Sequence, residues 1–141
     1  IEIAGVLSGL VFGEYSYGSV LGPKWLGTPP LIGLNWLMLT YAMYALLEPL
    51  RMHALLKILI GASALVVYDY IMEPVAISLG MWDWGSVVVP IQNYIAWFVI
   101  SFLFLGLMHL TGIRASNKLA PWLLVSHLLM FLLLQAILVW P

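Results

Sequence analysis

Asp69 and Glu73 are the residues in this chain whose type and spacing point most directly to chemistry. Four residues apart on a helix, their carboxyl groups share one face, roughly 6 Å from each other. Glu14 lies at a similar depth, as do Asn35 and Asn93, and the one cation near this layer is Lys24. A carboxylate inside a membrane costs several kcal/mol unless it is paired, wet or protonated. Acids grouped without matching cations therefore favour a site over a decorative interface. Carboxyl groups of this kind do acid–base work: one gives a proton, and a second group, carboxylate or amide, orients water. Tyr15, Tyr17, Tyr68, Tyr70, Trp82, Trp84, Tyr94 and Trp97 surround the layer. Aromatic side chains at helix ends also form the ordinary interfacial belt, and Trp25 and Trp140 need no other account. Asp83, between two tryptophans, reads as a solvated or capping residue. Glu48, beside Pro49 and Arg51, reads as structural.

The elements that must hold these groups are membrane helices. The chain is 64% hydrophobic and 8% charged, with a mean hydropathy of +1.07, whereas a soluble domain carries about 25% charged residues. Crossing a hydrocarbon core of about 30 Å takes about 20 helical residues, and the apolar runs reach that length. The expectation is a single all-α, polytopic transmembrane bundle over residues 1–141 with about five helices. These are Ile1–Gly13, Leu31–Leu47, Ala54–Met72, Ile91–Leu110 and Pro121–Trp140. Pro74 is expected to end the third, since the residue before proline is pushed out of the α region. The first is too short to span alone, and with Ile at position 1 the N-terminus reads as incomplete. Gly5, Gly9 and Gly13 form a four-residue small-residue seam of the kind that lets membrane helices approach closely. Glu2, at 1.5 Å per residue, should lie about 18 Å below Glu14, with its partner in a segment upstream.

Two connections, Glu14–Pro30 and Pro74–Pro90, are rich in Gly, Pro and aromatics. Apolar loops like these are expected in the interface or folded back between helices. A short echo links the halves: an acid (Glu14, Glu73), an interval ending in proline (Pro30, Pro90), then Asn and Trp (Asn35 and Trp36; Asn93 and Trp97). It covers too few residues to establish a duplication. Arg51, Lys57, Arg114 and Lys118 sit at the short connections, against Lys24 at the long ones. The positive-inside rule puts the short connections in the cytoplasm and the acidic layer toward the outer face of a bacterial or archaeal membrane.

Several chemistries are disfavoured. A net charge of −1 without basic runs offers nothing to nucleic acid. There is no cysteine, hence no thiolate or cluster chemistry. His53, His109 and His127 are too few and too scattered for a di-iron site, and read as helix-end or packing residues. No metal is called for. The glycine spacing is not a nucleotide fingerprint, so no cofactor is expected.

At the acidic layer the sequence resembles a known family. Gly13-Glu14-Tyr15-Ser16-Tyr17-Gly18 with Leu21-Gly22, and Gly27-Thr28-Pro29 leading to Asn35-Trp36, are similar to the membrane carotenoid-biosynthesis hydratases. So are Asp69-Tyr70-Ile71-Met72-Glu73-Pro74-Val75-Ala76, Trp82-Asp83-Trp84 and Pro90-Ile91-Gln92-Asn93-Tyr94-Ile95-Ala96-Trp97. The group includes γ-carotene 1,2-hydratase and bisanhydrobacterioruberin hydratase. The likeness spans about residues 5–110 and is most specific in the block from Asp69 to Trp97; the last helix adds little. It implies cofactor-free addition of water to the terminal double bond of an acyclic carotenoid, with a carotenoid or other polyene lipid as partner. Protonating a trisubstituted alkene gives a tertiary carbocation that water captures. Such a reaction needs a donor that keeps its proton near neutral pH, which apolar surroundings and a second carboxyl nearby favour. Aromatic faces stabilise the cation by about 0.5–2 kcal/mol each. The resulting expectation has Asp69, Glu73 and Glu14 as catalytic groups, and Asn35, Asn93, Tyr17, Tyr94, Trp82 and Trp97 as substrate contacts.

Two other classes fit the same residues. Carotene end-group cyclisation also begins with alkene protonation but must keep water from the cation, which the amides here oppose. A pigment-binding or accessory subunit of a larger membrane complex, or a homo-oligomer, suits the small size and the glycine seam. A proton-coupled transporter would need more helices than these.

Overall fold

A computed structural model describes residues 1–85 and 88–139. The chain is an integral membrane protein of the all-α class. Its elements in order are α1 (Glu2–Ser8), β1 (Tyr15–Tyr17), α2 (Pro30–Leu47), α3 (Ala54–Ser78), β2 (Trp82–Trp84), α4 (Ile91–Leu110) and α5 (Ala120–Leu138). Among the described residues, α2 to α5 are long and apolar enough to cross a membrane; α4, with 20 residues, is about 30 Å long. Helices α2 and α4 start just after Pro29 and Pro90, residues that cannot extend a helix backwards. The second and fourth expected helices match closely, the third begins at Ala54 as expected but runs on to Ser78, and the fifth ends at Leu138. Trp140 lies outside the described residues.

Helix α3 is the hub, packing against α2, α4, α5 and β2. A glycine makes the closest of these approaches possible. A Cβ on Gly61 would sit 2.7 Å from a Leu105 methyl and 2.8 Å from a Leu47 methyl, so α2 and α4 reach the α3 backbone there. The core around it holds Leu39, Leu65, Val75 and Leu105.

Three expectations are corrected. Helix α1 stops at Ser8, because Gly9 takes a left-handed conformation (φ 64°) as its C-cap. Gly9 and Gly13 therefore belong to a turn and not to a helical seam. Glu2 is then not a distant residue on a long rod. The chain reverses, and β1 passes beside the start of α1. The third correction concerns Pro74. Helix α3 runs through it to Ser78, since proline's own φ suits a helix and only the hydrogen bond to the Tyr70 carbonyl is lost. Membrane helices tolerate this where neighbours pack around the break, and Val75 and Ala76 are fully buried.

The two long connections do not float in the interface separately. They pair with each other as an antiparallel two-stranded ladder, with Tyr15 opposite Trp84, Ser16 opposite Asp83 and Tyr17 opposite Trp82. The backbones close tightly at one end, where Gly18 N–H donates to the Met81 carbonyl at 2.8 Å. A Cβ on Gly18 would meet the Gly80 oxygen at 1.9 Å. Because strand side chains alternate, Tyr15, Tyr17, Trp82 and Trp84 turn toward the helices. Ser16 and Asp83 are exposed on the other side.

Candidate functional site

The ladder lies over the acidic layer and supplies its hydrogen-bond donors. Asp69 is fully buried, and Glu73 and Asn93 are 3% and 2% exposed, which rules out direct solvation by bulk water. Asn93, in the first turn of α4, donates its amide to Asp69 Oδ2 at 2.7 Å and reaches Glu73 Oε1 at 3.5 Å. Both indoles of β2 donate to Glu73 Oε2, Trp82 at 3.0 Å and Trp84 at 2.9 Å. Asp69 Oδ1 is buried with no hydrogen-bond partner among the described residues.

A third carboxyl group completes the layer. Glu2 accepts hydrogen bonds from the Tyr15 hydroxyl at 2.9 Å and the Tyr17 hydroxyl at 2.7 Å, both on Oε2. The Trp36 indole donates to its Oε1 at 2.6 Å. Each strand thus grips one acid with its two inward aromatics: β1 holds Glu2 and β2 holds Glu73. Burial first, and then the Glu2 charge, push the Tyr15 and Tyr17 phenols well above the usual tyrosine range. Both remain O–H donors at any physiological pH. Lys24 does not neutralise the cluster; its ammonium donates to the Tyr17 carbonyl.

Between the acids is a cavity of about 40 Å³. That is room for about one water molecule, whose share of liquid volume is about 30 Å³. Glu2, Asp69, Glu73, Asn35 and Asn93 line it, together with Tyr15, Tyr17, Trp36, Trp82, Trp84 and Trp97. The Trp36 and Trp97 rings pack against each other at a tilt of 33°, with centroids 4.2 Å apart. A far larger apolar cleft of about 730 Å³, between α2, α3 and α5, shares Ile32, Asn35, Met72 and Trp82 with the small cavity. A second cleft of the same volume, on the other side of α2, touches Glu2 and Trp36. A polar, water-sized space thus shares walls with greasy clefts that a hydrocarbon chain could occupy.

Of the expected site residues, Asp69, Glu73, Asn93, Asn35, Tyr17, Trp82 and Trp97 meet around this cavity. Two do not. Glu14 is exposed, and it takes part through its backbone carbonyl, which accepts the Gly85 N–H at 3.2 Å. Tyr94 is half-buried and packs against Tyr70 with ring centroids 6.0 Å apart, away from the cavity lining. Glu2 takes the place expected of Glu14. The sequence did carry a signal for this in the alternating Tyr-x-Tyr and Trp-x-Trp triplets, whose period of two points both aromatics of each triplet the same way. His127 lines the large cleft, and its buried Nδ1 has no hydrogen-bond partner among the described residues.

The model of one family, described as "Carotenoid biosynthesis protein", matches residues 1–140. This chain belongs to that family. A curated relative, the bisanhydrobacterioruberin hydratase of Haloarcula japonica, is 30% identical over 106 residues. The match covers 69% of this chain and 36% of that protein, so the chain corresponds to about a third of its relative's length. No solved structure matches the chain.

Proposed function

We propose that this chain carries the acid–base site of a carotenoid hydratase, which adds water to the terminal double bond of an acyclic carotenoid end group. The observation that carries the reading is the water-sized cavity walled by three carboxyl groups and sharing a wall with an apolar cleft. A cyclase would have no use for a polar pocket at the point where its cation forms.

Asp69 suits the role of acid. Asn93 fixes its Oδ2, while Oδ1 has no partner among the described residues and is the position from which a proton can leave. The alkene π pair takes this proton to form a C–H bond at the less substituted carbon, leaving a tertiary cation at its neighbour. The paired Trp36 and Trp97 rings border that space and favour the cation. Glu73 suits the role of base, since every group bonded to it is a donor. A water held in the cavity attacks the cation and gives its proton to Glu73. The next water to enter relays that proton from Glu73 to Asp69, which restores both groups, so the cycle consumes only water and alkene. Glu2, held by three donors of its own, sets the second wall of the water site and replaces Glu14 in that task. The polyene end enters by the cleft between α2, α3 and α5, which borders Trp82 and Met72.

The deciding experiment is expression in a lycopene-producing host followed by pigment mass analysis. A gain of one water per modified end is expected. Asp69→Asn and Glu73→Gln should each lower that yield at least about hundredfold, the usual scale for losing a general acid or base, with the protein still accumulating in the membrane. Hydration at the unmodified rate in both variants would overturn the reading. A ringed, unhydrated product would replace it with cyclisation.

A further inference from the structure

The opposite end of the bundle holds a second built cavity that the proposed reaction does not use. It measures about 330 Å³ and is formed where α2 ends, α3 begins and α4 runs into the connection to α5. Lys57, Arg114, His109 and Tyr44 line it together with Glu48, while Leu105 and Ile58 form part of its apolar wall. The cations are not used up internally. Among the described residues the Lys57 ammonium makes one hydrogen bond, to the Glu48 carbonyl at 2.7 Å. The Glu48 carboxylate turns elsewhere, with Oε2 accepting the Ala115 N–H at 2.8 Å. The Arg114 guanidinium makes no hydrogen bond or ion pair among the described residues, the one bond at this residue being the Ser116 N–H donated to its backbone carbonyl at 3.0 Å, which leaves the fork available. Two positive charges therefore face one negative charge that is already engaged. Unspent donors border the cavity together with an apolar wall at the end of the membrane helices.

That combination suits an amphiphilic anion, with a phosphate at the donors and methylene groups against the wall. We propose that this cavity binds the phosphate headgroup of an anionic membrane lipid. Basic pockets between helix ends are a recurrent form of lipid-headgroup recognition, and the guanidinium fork matches a phosphate in bidentate fashion. An inorganic phosphate would satisfy the donors but leave the apolar wall empty. The lipid is therefore the source to which the geometry commits.

The test uses the purified protein in phosphatidylcholine nanodiscs with increasing phosphatidylglycerol, and native mass spectrometry counts retained lipid. Phosphatidylglycerol should be retained in preference to phosphatidylcholine. Lys57→Gln and Arg114→Gln should each weaken retention about fivefold, and together about 25-fold, the scale for removing one and two cations near a headgroup. Arg51→Gln removes a charge from the same face outside the cavity lining and should leave retention within about twofold. Equal retention of the two lipids, or equal loss in all three single variants, would overturn the proposal by showing diffuse attraction or none. Displacement of the lipid by millimolar inorganic phosphate would overturn it in favour of a small-anion site.

Discussion

Replacing Glu2 by Gln isolates the part of the site that depends most on the tertiary structure. Glu2 receives three donors, from Tyr15, Tyr17 and Trp36, at 2.9, 2.7 and 2.6 Å. A glutamine keeps one acceptor oxygen and puts an NH2 donor where the other oxygen was, so at least one donor must face another donor. Hydrogen bonds to a charged acceptor contribute about 1.5–3 kcal/mol each, neutral ones about 0.5–1.5, and an orphaned buried donor costs about 1–3. Exchanging three of the first for two of the second and one of the third comes to about 4.5–9 kcal/mol for a fully buried site. Glu2 is half-buried, and solvent screening roughly halves that sum, to about 3 kcal/mol. For a chain of this length that is a fall in melting temperature of about 10 °C. Thermal unfolding in detergent, followed by tryptophan emission, measures it. Tyr17→Phe in the same background gives a double-mutant cycle, and the two losses should be less than additive because they share one bond. A melting temperature within about 2 °C of the parent, or strict additivity, would refute the placement of Glu2 beneath β1.

Other expectations follow from the same geometry. Gly18→Ala puts a methyl group within 1.9 Å of the Gly80 carbonyl, so the strands must part; circular dichroism should keep its helical signal while Trp82 and Trp84 emission shifts to the red. Because Tyr15 and Tyr17 have raised folded-state pKa values, the unfolded chain ionises first. Their stabilisation is complete below the unfolded tyrosine pKa of about 10 and is lost as pH rises above it. Denaturant titrations from pH 8 to 11.5 should show that decline, and it should flatten in the Tyr15→Phe/Tyr17→Phe variant. Met130→Trp narrows the cleft beside Trp82 and should cut carotene turnover severalfold. Gly33→Leu extends into open space beside the other cleft and should not; the reverse pattern would move the entry path to the other side of α2.

Much of the membrane architecture was legible one residue at a time. Long apolar runs bounded by Pro29, Pro90 and polar breaks leave few options, because a backbone in hydrocarbon must satisfy its own hydrogen bonds locally. Helices α2, α3 and α4 therefore begin where they were expected, and α4 also ends there. Local spacing likewise put Asp69 and Glu73 on one helical face, and depth counting from helix ends put Asn93 beside them.

What the sequence could not decide was how segments without that local constraint pair across the fold. The reversal at Gly9 and Gly13 uses left-handed backbone (φ 64° and 109°), and glycine permits such angles without demanding them. A continuous helix was an equally good local reading, and it put Glu2 far from the layer it joins. The ladder between Tyr15–Tyr17 and Trp82–Trp84 depends on backbone partners 65 or more positions apart in the chain. Only closure of the helices brings those partners within hydrogen-bond reach. Pro74 shows the same balance from the other side, since its local signal to stop was outweighed by the packing of Val75 and Ala76. The sequence by itself determined a membrane bundle with acids near one end. Tertiary structure chose which acids face one another, because burying a carboxyl group requires donors that only distant segments could bring.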